Sequence, residues 1–335
     1  MNERVYVQTN DAERNEVIAF DRSGDGRLSP LGSYETGGRG TGKPHLPSQS
    51  SLALSDDGAW LLVANAGSDE LSLFAVEPDG LRLADRVASG GSAPTSVAVH
   101  GELVYSLNNG TPGISGFRLD GALTPIDDSR RPLSAGSDPA QIAFSPDGRA
   151  LVVTERGTNA ISTFAVDEHG FAAGPQTIPS SGATPYGFDF ADGAVVVTEA
   201  FGGEIGKAAA SSYTLSGGLR PVSSSVADTR SEVCWAVATH DGRFVYVTNF
   251  GDGTISSYAV GEGGSLELHE AIAASTRYGE AGIRDEALSR DGRFLYAIDA
   301  DAQRVFGWGV GDDGRLELVG EFEGVPATVA GLAAS

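Results

Sequence analysis

The sequence has one cysteine, Cys234, one methionine, Met1, five scattered histidines and only two lysines, Lys43 and Lys207. A single cysteine excludes an intrachain disulfide framework and any CxxC metal or redox motif. No stretch approaches the roughly 18 to 20 apolar residues that a membrane span needs, so the chain has to bury its apolar surface in its own core. No apolar leader separates Met1 from the strand-like Val5, Tyr6 and Val7, which gives the expectation of a cytoplasmic protein. Positive charge is scarce too: 23 Lys and Arg against 45 Asp and Glu leave a formal net charge of −22 over 335 residues. Such a charge repels nucleic acid and anionic membranes, so the expected partner is a small organic molecule.

What is present is a repeat. An apolar strand, an Asp-Gly turn, a second apolar strand ending in a polar residue, a third alternating strand, a Gly turn and a fourth strand recur along the chain. The second strands end at Val7 to Asn10, Leu62 to Asn65, Tyr105 to Asn108, Val152 to Glu155, Val196 to Glu199, Tyr246 to Asn249 and Tyr296 to Asp299, with spacings of 55, 43, 47, 44, 50 and 50 residues. Four short strands plus loops fill such a period. The predicted fold is therefore all-β: one seven-bladed β-propeller over residues 1–335, with four-stranded antiparallel blades. The first repeat lacks an innermost strand, and Thr328 to Leu332 has the missing apolar pattern. This C-terminal segment is expected to join the N-terminal blade and close the ring. No helix is foreseen beyond a turn around Ala208 to Ser211.

Antiparallel alternation sorts the loops by face. The Asp-Gly turns at Asp57, Asp147, Asp192, Asp241 and Asp291 fall on one face, the bottom, with Arg149, Arg243 and Arg293 as solvated turn residues. Thr36 to Ser50 and Ala200 to Ser211 fall on the top and carry both lysines, and Arg156, Arg230, Arg277 and Arg284 join them there. In so acidic a chain this gathers cations around a top-face funnel, suited to a carboxylate or phosphate. Loop solubility with local pairing to Glu35, Glu204, Glu232 and Glu280 is the competing reading. The candidate substrate-binding residues are Arg156, Lys207 and His45 in the top loops, and Gln141, Tyr186, Trp235, Arg284 and Asp285 at the starts of first strands. Glu155 and Glu199 replace asparagine at two repeat positions and are the candidate general acid/base groups, with a loop-capping role as the alternative.

Other motifs carry less. Gly37 to Pro44 (GGRGTGKP) satisfies GxxxxGK, but Pro44 stands where the magnesium-binding Ser or Thr belongs and no helix follows, so a phosphate-binding P-loop is excluded. The histidines are too dispersed for a His-rich metal site, and neither metal nor cofactor is expected, a carboxylate-lined calcium site in the central channel being the one exception. Cys234 beside Trp235 reads as a small buried residue.

The stretches SGGSAPTSVAVHGELVYSLN, FSPDGRALVVTERGTNAISTFAV, CWAVATHDGRFVYVTNFGDGTISSYAV and ALSRDGRFLYAIDA resemble the seven-bladed propeller lactonase family, which includes 6-phosphogluconolactonase and a carboxymuconate-lactonizing enzyme. The resemblance covers the whole chain and implies a lactone-processing enzyme that hydrolyses or forms a small anionic sugar-acid or carboxylate lactone. It also implies Pro-Arg-His at the start of a middle blade and Asn-Glu at the end of its second strand. Here the matching positions read Pro139-Ala140-Gln141 and Thr154-Glu155-Arg156, so the arginine and histidine are absent and the glutamate stands one position early. A non-catalytic ligand-binding or scaffold propeller and a cycloisomerase using the same funnel remain alternatives.

Overall fold

A computed structural model describes residues 3–43 and 46–335. Seven antiparallel sheets form the blades of a ring. Blade 1 orders its strands as Ala330–Ala334, Arg4–Gln8, Glu16–Arg22 and Leu28–Glu35, from the axis outward. Blades 2 to 7 begin at Leu52, Pro94, Pro139, Pro185, Val233 and Ile283 and run in chain order from inner to outer strand. Blade 3 differs in having its outer strand split into Leu123–Pro125 and Arg131–Pro132, both paired to Gly113–Leu119.

The ring closes as the sequence implies, with a shift of two residues in the closing strand. Val5 pairs with Ala334, Tyr6 with Ala333 and Val7 with Leu332, while a bulge sets Gln8 against Ala330. Thr328, expected inside this strand, lies before it and donates its hydroxyl to the Thr9 carbonyl at 2.7 Å. The foreseen turn at Ala208 to Ser211 is instead the start of strand Ala209–Thr214, and the short 3-10 turn falls earlier, at Phe201–Gly203.

The Asp-Gly turns have a shared chemistry. In blades 2, 4, 6 and 7 a Ser or Thr hydroxyl donates to the turn aspartate (Ser55 to Asp57, Ser145 to Asp147, Thr239 to Asp241, Ser289 to Asp291) at 2.6 to 2.7 Å. The next glycine takes a left-handed φ near +70°, which only glycine adopts without steric cost. These donors hold the Asp57 and Asp147 carboxyls below their ordinary range and Asp241 at about 2. Arg243 and Arg293 pair with the exposed turn carboxylates of Asp241 and Asp291.

Second and third strands are buried on both faces, so their side chains feed two cores alternately. Leu61 and Val63 pack toward blade 1, Leu62 and Ala64 toward blade 3. Each of the seven interfaces between neighbouring blades has such an apolar cluster. Second-strand tyrosines add directional ties, Tyr105, Tyr246 and Tyr296 donating to the Gly170, Gly314 and Gly26 carbonyls of the following blade.

Candidate active site

The inner strands carry a repeated device at their top ends. The residue before the strand has a left-handed φ in blades 3 to 6: Ala93 at +49°, Asp138 at +42°, Thr184 at +58° and Glu232 at +56°. A register skip follows at once, leaving Thr95, Ala140, Tyr186 and Cys234 without a ladder partner. Bulges re-aim side chains in this way. Here they bring Ala140, Tyr186, Cys234 and Trp235, from three blades, into one buried cluster that Phe250 covers.

Two arginines cap that cluster. The Arg156 guanidinium lies over the Tyr186 ring, 4.9 Å from its centroid, and pairs with Asp138 at 2.7 Å. Arg284 is only 5% exposed and lies over Phe250 at 4.8 Å. Burial pulls its pKa down and pushes those of Tyr186 and Cys234 up, so the tyrosine and the thiol stay neutral while the arginines supply fixed positive charge.

The axis itself is not an open funnel. Ser48 and Gln49, leading into blade 2, cross the top and plug it. The Ser48 hydroxyl donates to the Thr95 carbonyl at 2.6 Å, the Gln49 N–H to the Ala140 carbonyl at 3.1 Å, and the Trp235 indole N–H to the Ser48 carbonyl at 2.9 Å. The Gln49 amide donates to the Ala236 carbonyl at 2.7 Å and accepts the Ala236 N–H at 3.1 Å. Open space on the top face lies beside this plug, in a groove of ≈ 530 Å³ whose lining includes Gly203, Gly206, Arg230, Glu232, Gly251 and Asp252. Arg230 is paired loosely there with Asp252, at 4.0 Å, and its buried Nε has no acceptor among the described residues. A larger groove, ≈ 760 Å³, runs between blades 4 and 5 at the opposite face, and its Asp147 and Arg149 belong to the Asp-Gly turn of blade 4.

A family model of seven-bladed β-propeller lactonases matches residues 2–136, 123–200 and 217–330. The chain belongs to this lactonase family. Several solved structures share the propeller of this lactonase-family chain. A Bacteroides fragilis protein described as a candidate 6-phosphogluconolactonase superposes with a TM-score of 0.78 at 18% identity, covering 100% of this chain and 98% of that one. The periplasmic gluconolactonase of Pseudomonas aeruginosa gives 0.77 at 18%, covering 100% and 99%. A Lactobacillus plantarum protein gives 0.78 at 19%, covering 100% of both chains. At such identities these likenesses establish the fold. No curated protein sequence matches the chain.

The lactonase-family fold separates the residues singled out from sequence. It brings together Arg156, Tyr186, Trp235 and Arg284. Lys207 is exposed on the top loop whose Gly206 borders the groove, and His45 lies outside the described residues. Gln141 is spent on structure: its amide donates to the Phe188 carbonyl at 3.0 Å and accepts the Phe188 N–H at 2.7 Å. Asp285 is buried in the channel wall, accepting the N–H groups of Glu286 and Leu332.

Glu155 and Glu199 are fully buried within their own blades. Glu155 accepts the Ser162 hydroxyl at 2.5 Å and that of Thr158 at 2.9 Å. Glu199 accepts the Gly182 N–H at 2.7 Å and the hydroxyls of Ser211 and Ser225 at 2.6 and 2.7 Å. Asn65, Asn108 and Asn249 tie the same loops at the equivalent position. Geometry thus gives both glutamates the capping role. Arg230 and Glu232 were counted among the top-face charges but not as site residues. The left-handed φ that Glu232 shares with Ala93, Asp138 and Thr184 has no sequence signature in a residue other than glycine.

Proposed function

We propose that this protein is a lactone-processing enzyme acting on a small anionic sugar-acid or carboxylate lactone at the top-face groove beside the plugged axis. Membership of the lactonase family supports the reaction class. The location rests on the Arg230 guanidinium, whose buried Nε lacks an acceptor at the edge of an open groove. An unmet charged donor in such a position is an anion subsite, because a ligand oxygen would relieve the desolvation it suffers. Arg284 and Arg156 stand behind it in the Tyr186 and Cys234 cluster and raise the local potential. The same charge opposes the negative charge that grows on the carbonyl oxygen as a lactone is attacked.

The plug at Ser48 and Gln49, together with the missing arginine and histidine at Ala140 and Gln141, favours a second reading as a ligand-binding propeller without turnover. A panel of aldono- and muconolactones followed by pH-stat titration separates the two. Turnover of at least one anionic lactone is expected, with Arg230→Ala weakening binding of the matching hydroxy acid about 10- to 100-fold, equivalent to roughly 1.5 to 3 kcal/mol for a charge-assisted hydrogen bond. Arg243→Ala, on the bottom face, should change binding by less than about 0.5 kcal/mol. Binding without turnover of any lactone would establish the second reading.

A further inference from the structure

We infer that Glu232 is the proton-transfer residue of this site, activating the water that opens the lactone ring. The inference rests on the lactone reading above and adds to it the group that performs the chemistry. Four observations lead to it. Glu232 borders the same groove as Arg230, two residues away in the connection between blades 5 and 6. Its side chain is half-buried yet makes no hydrogen bond or ion pair within the described residues, whereas Glu155 and Glu199 are saturated by donors from their own blades. Its backbone has a left-handed φ of +56°, the conformation that precedes the inner strand in blades 3 to 6 and that persists only where the surroundings impose it. Here they do: its carbonyl accepts the Phe250 N–H at 3.0 Å and the Cys234 thiol at 3.4 Å, so the residue is locked to the arginine-capped cluster.

The neighbouring loop leaves the carboxyl uncovered. A Cβ on Gly203 would stand 3.6 Å from the Glu232 carboxyl carbon, and Gly203 itself has a φ of +81°. Burial raises the Glu232 pKa from the ordinary carboxylate value, and the Arg284 guanidinium draws it back down. Burial outweighs the guanidinium, so the carboxylate is more basic than an exposed one, which is the direction a general base requires.

The step balances simply. The Glu232 carboxylate takes a proton from water as the water oxygen bonds to the lactone carbonyl carbon. The tetrahedral intermediate then expels the ring oxygen, the acyl C–O bond breaks, and the proton held by Glu232 passes to that departing oxygen. One lactone and one water become one hydroxy acid, with Glu232 returned as carboxylate. The rim adds a statement about substrate. Ile205, 90% exposed, lines the groove, and the loop carrying Tyr278, 66% exposed, reaches its edge where Gly279 donates to the Asp252 carbonyl. An apolar edge of this kind suits the carbon skeleton of a lactone whose polar end meets Arg230.

The test uses the full-length protein and the lactone that the wild type hydrolyses best. Glu232→Gln removes the base at nearly constant shape, and Glu232→Gly removes it while suiting the left-handed backbone. Both are expected to melt like the wild type, to bind the hydroxy acid product within about threefold of it by calorimetry, and to lose kcat by about 10²- to 10⁴-fold. The acid limb of the wild-type pH profile should disappear in both, and formate should restore part of the Glu232→Gly activity. Glu204→Gln, on the exposed top loop, is the control and should match the wild type. If either Glu232 variant keeps kcat within threefold while the wild type is active, the assignment of Glu232 is overturned and the lactone reading stands. If the wild type hydrolyses no lactone, both are overturned.

Discussion

Raising the pH from 4 to 8 is expected to destabilise this propeller, because three carboxyl groups sit in the walls of its central channel. Asp189 accepts the Phe190 and Ala238 N–H groups, Asp285 those of Glu286 and Leu332, and both oxygens of Glu286 are buried without a donor. Burial pushes Asp189 up to about 6 and Asp285 up to about 7, and burial with repulsion from these two raises Glu286 further. Each group therefore keeps a proton in the folded protein at a pH where the unfolded chain has released it. The unfolded state binds fewer protons, so stability is greatest below the unfolded value near 4 and falls as pH rises toward the folded values. At about 1.4 kcal/mol per unit, the loss is on the order of 3 kcal/mol for Asp189 and 4 kcal/mol for Asp285. The turn carboxylates held low, Asp57, Asp147 and Asp241, act with the opposite slope but below their ordinary carboxylate range, outside this window. With an unfolding entropy of about 2.1 cal/mol/K per residue, a loss of ~5 to 7 kcal/mol lowers the Tm of the 335-residue chain by ~7 to 10 °C. Differential scanning calorimetry from pH 4 to 8 measures it, and Asp285→Asn should flatten the slope in part. A Tm that is constant or rises over this range would refute the argument.

Two further outcomes are expected. Leu332→Ala, in the closing strand and buried against Val5, Val7 and Val329, should cost about 2 to 5 kcal/mol in denaturant unfolding, and removal of residues 325–335 should abolish the single cooperative transition; an unchanged melt would contradict closure by this strand. Glu199→Gln should destabilise by about 1 to 3 kcal/mol, since it weakens a carboxylate that holds four donors, yet leave kcat per folded molecule unaltered, and loss of turnover at full stability would return Glu199 to the catalytic role.

The repeat made the architecture readable. Seven polar residues ending seven apolar strands, with Asp-Gly turns at fixed offsets, mark blade boundaries through local chemistry alone. The unpaired first repeat even located the closing strand to within two residues. The same regularity gives the catalytic candidates a structural alternative. Glu155 and Glu199 stood out because they replace asparagine, but a position that is polar in every blade is one that every blade needs for its own loop. Gln141 and Gln49 were opaque for a different reason. Their amides satisfy backbone groups 47 and 187 residues away, and no spacing in the sequence encodes such distances. Glu232 is visible in the sequence as a top-face charge, while its bulge and its link to Phe250 arise only when the first two strands of blade 6 pair, and its place beside Gly203 only when blades 5 and 6 pack.

The plug has a consequence for how the chain reaches this state. Ser48 and Gln49 lead into blade 2 but hydrogen-bond to the inner strands of blades 3, 4 and 6. A growing chain therefore presents this segment early and leaves its set of partners incomplete until blade 6 has been made. Its docking is necessarily a late folding event, coming after blade 6 and tied to the curvature that only a nearly complete ring possesses. The loop thus acts as a length gauge. A circle with one blade too few or too many would move the Ala140 and Ala236 backbones out of reach of a single glutamine, so the plug selects seven blades as firmly as the closing strand does.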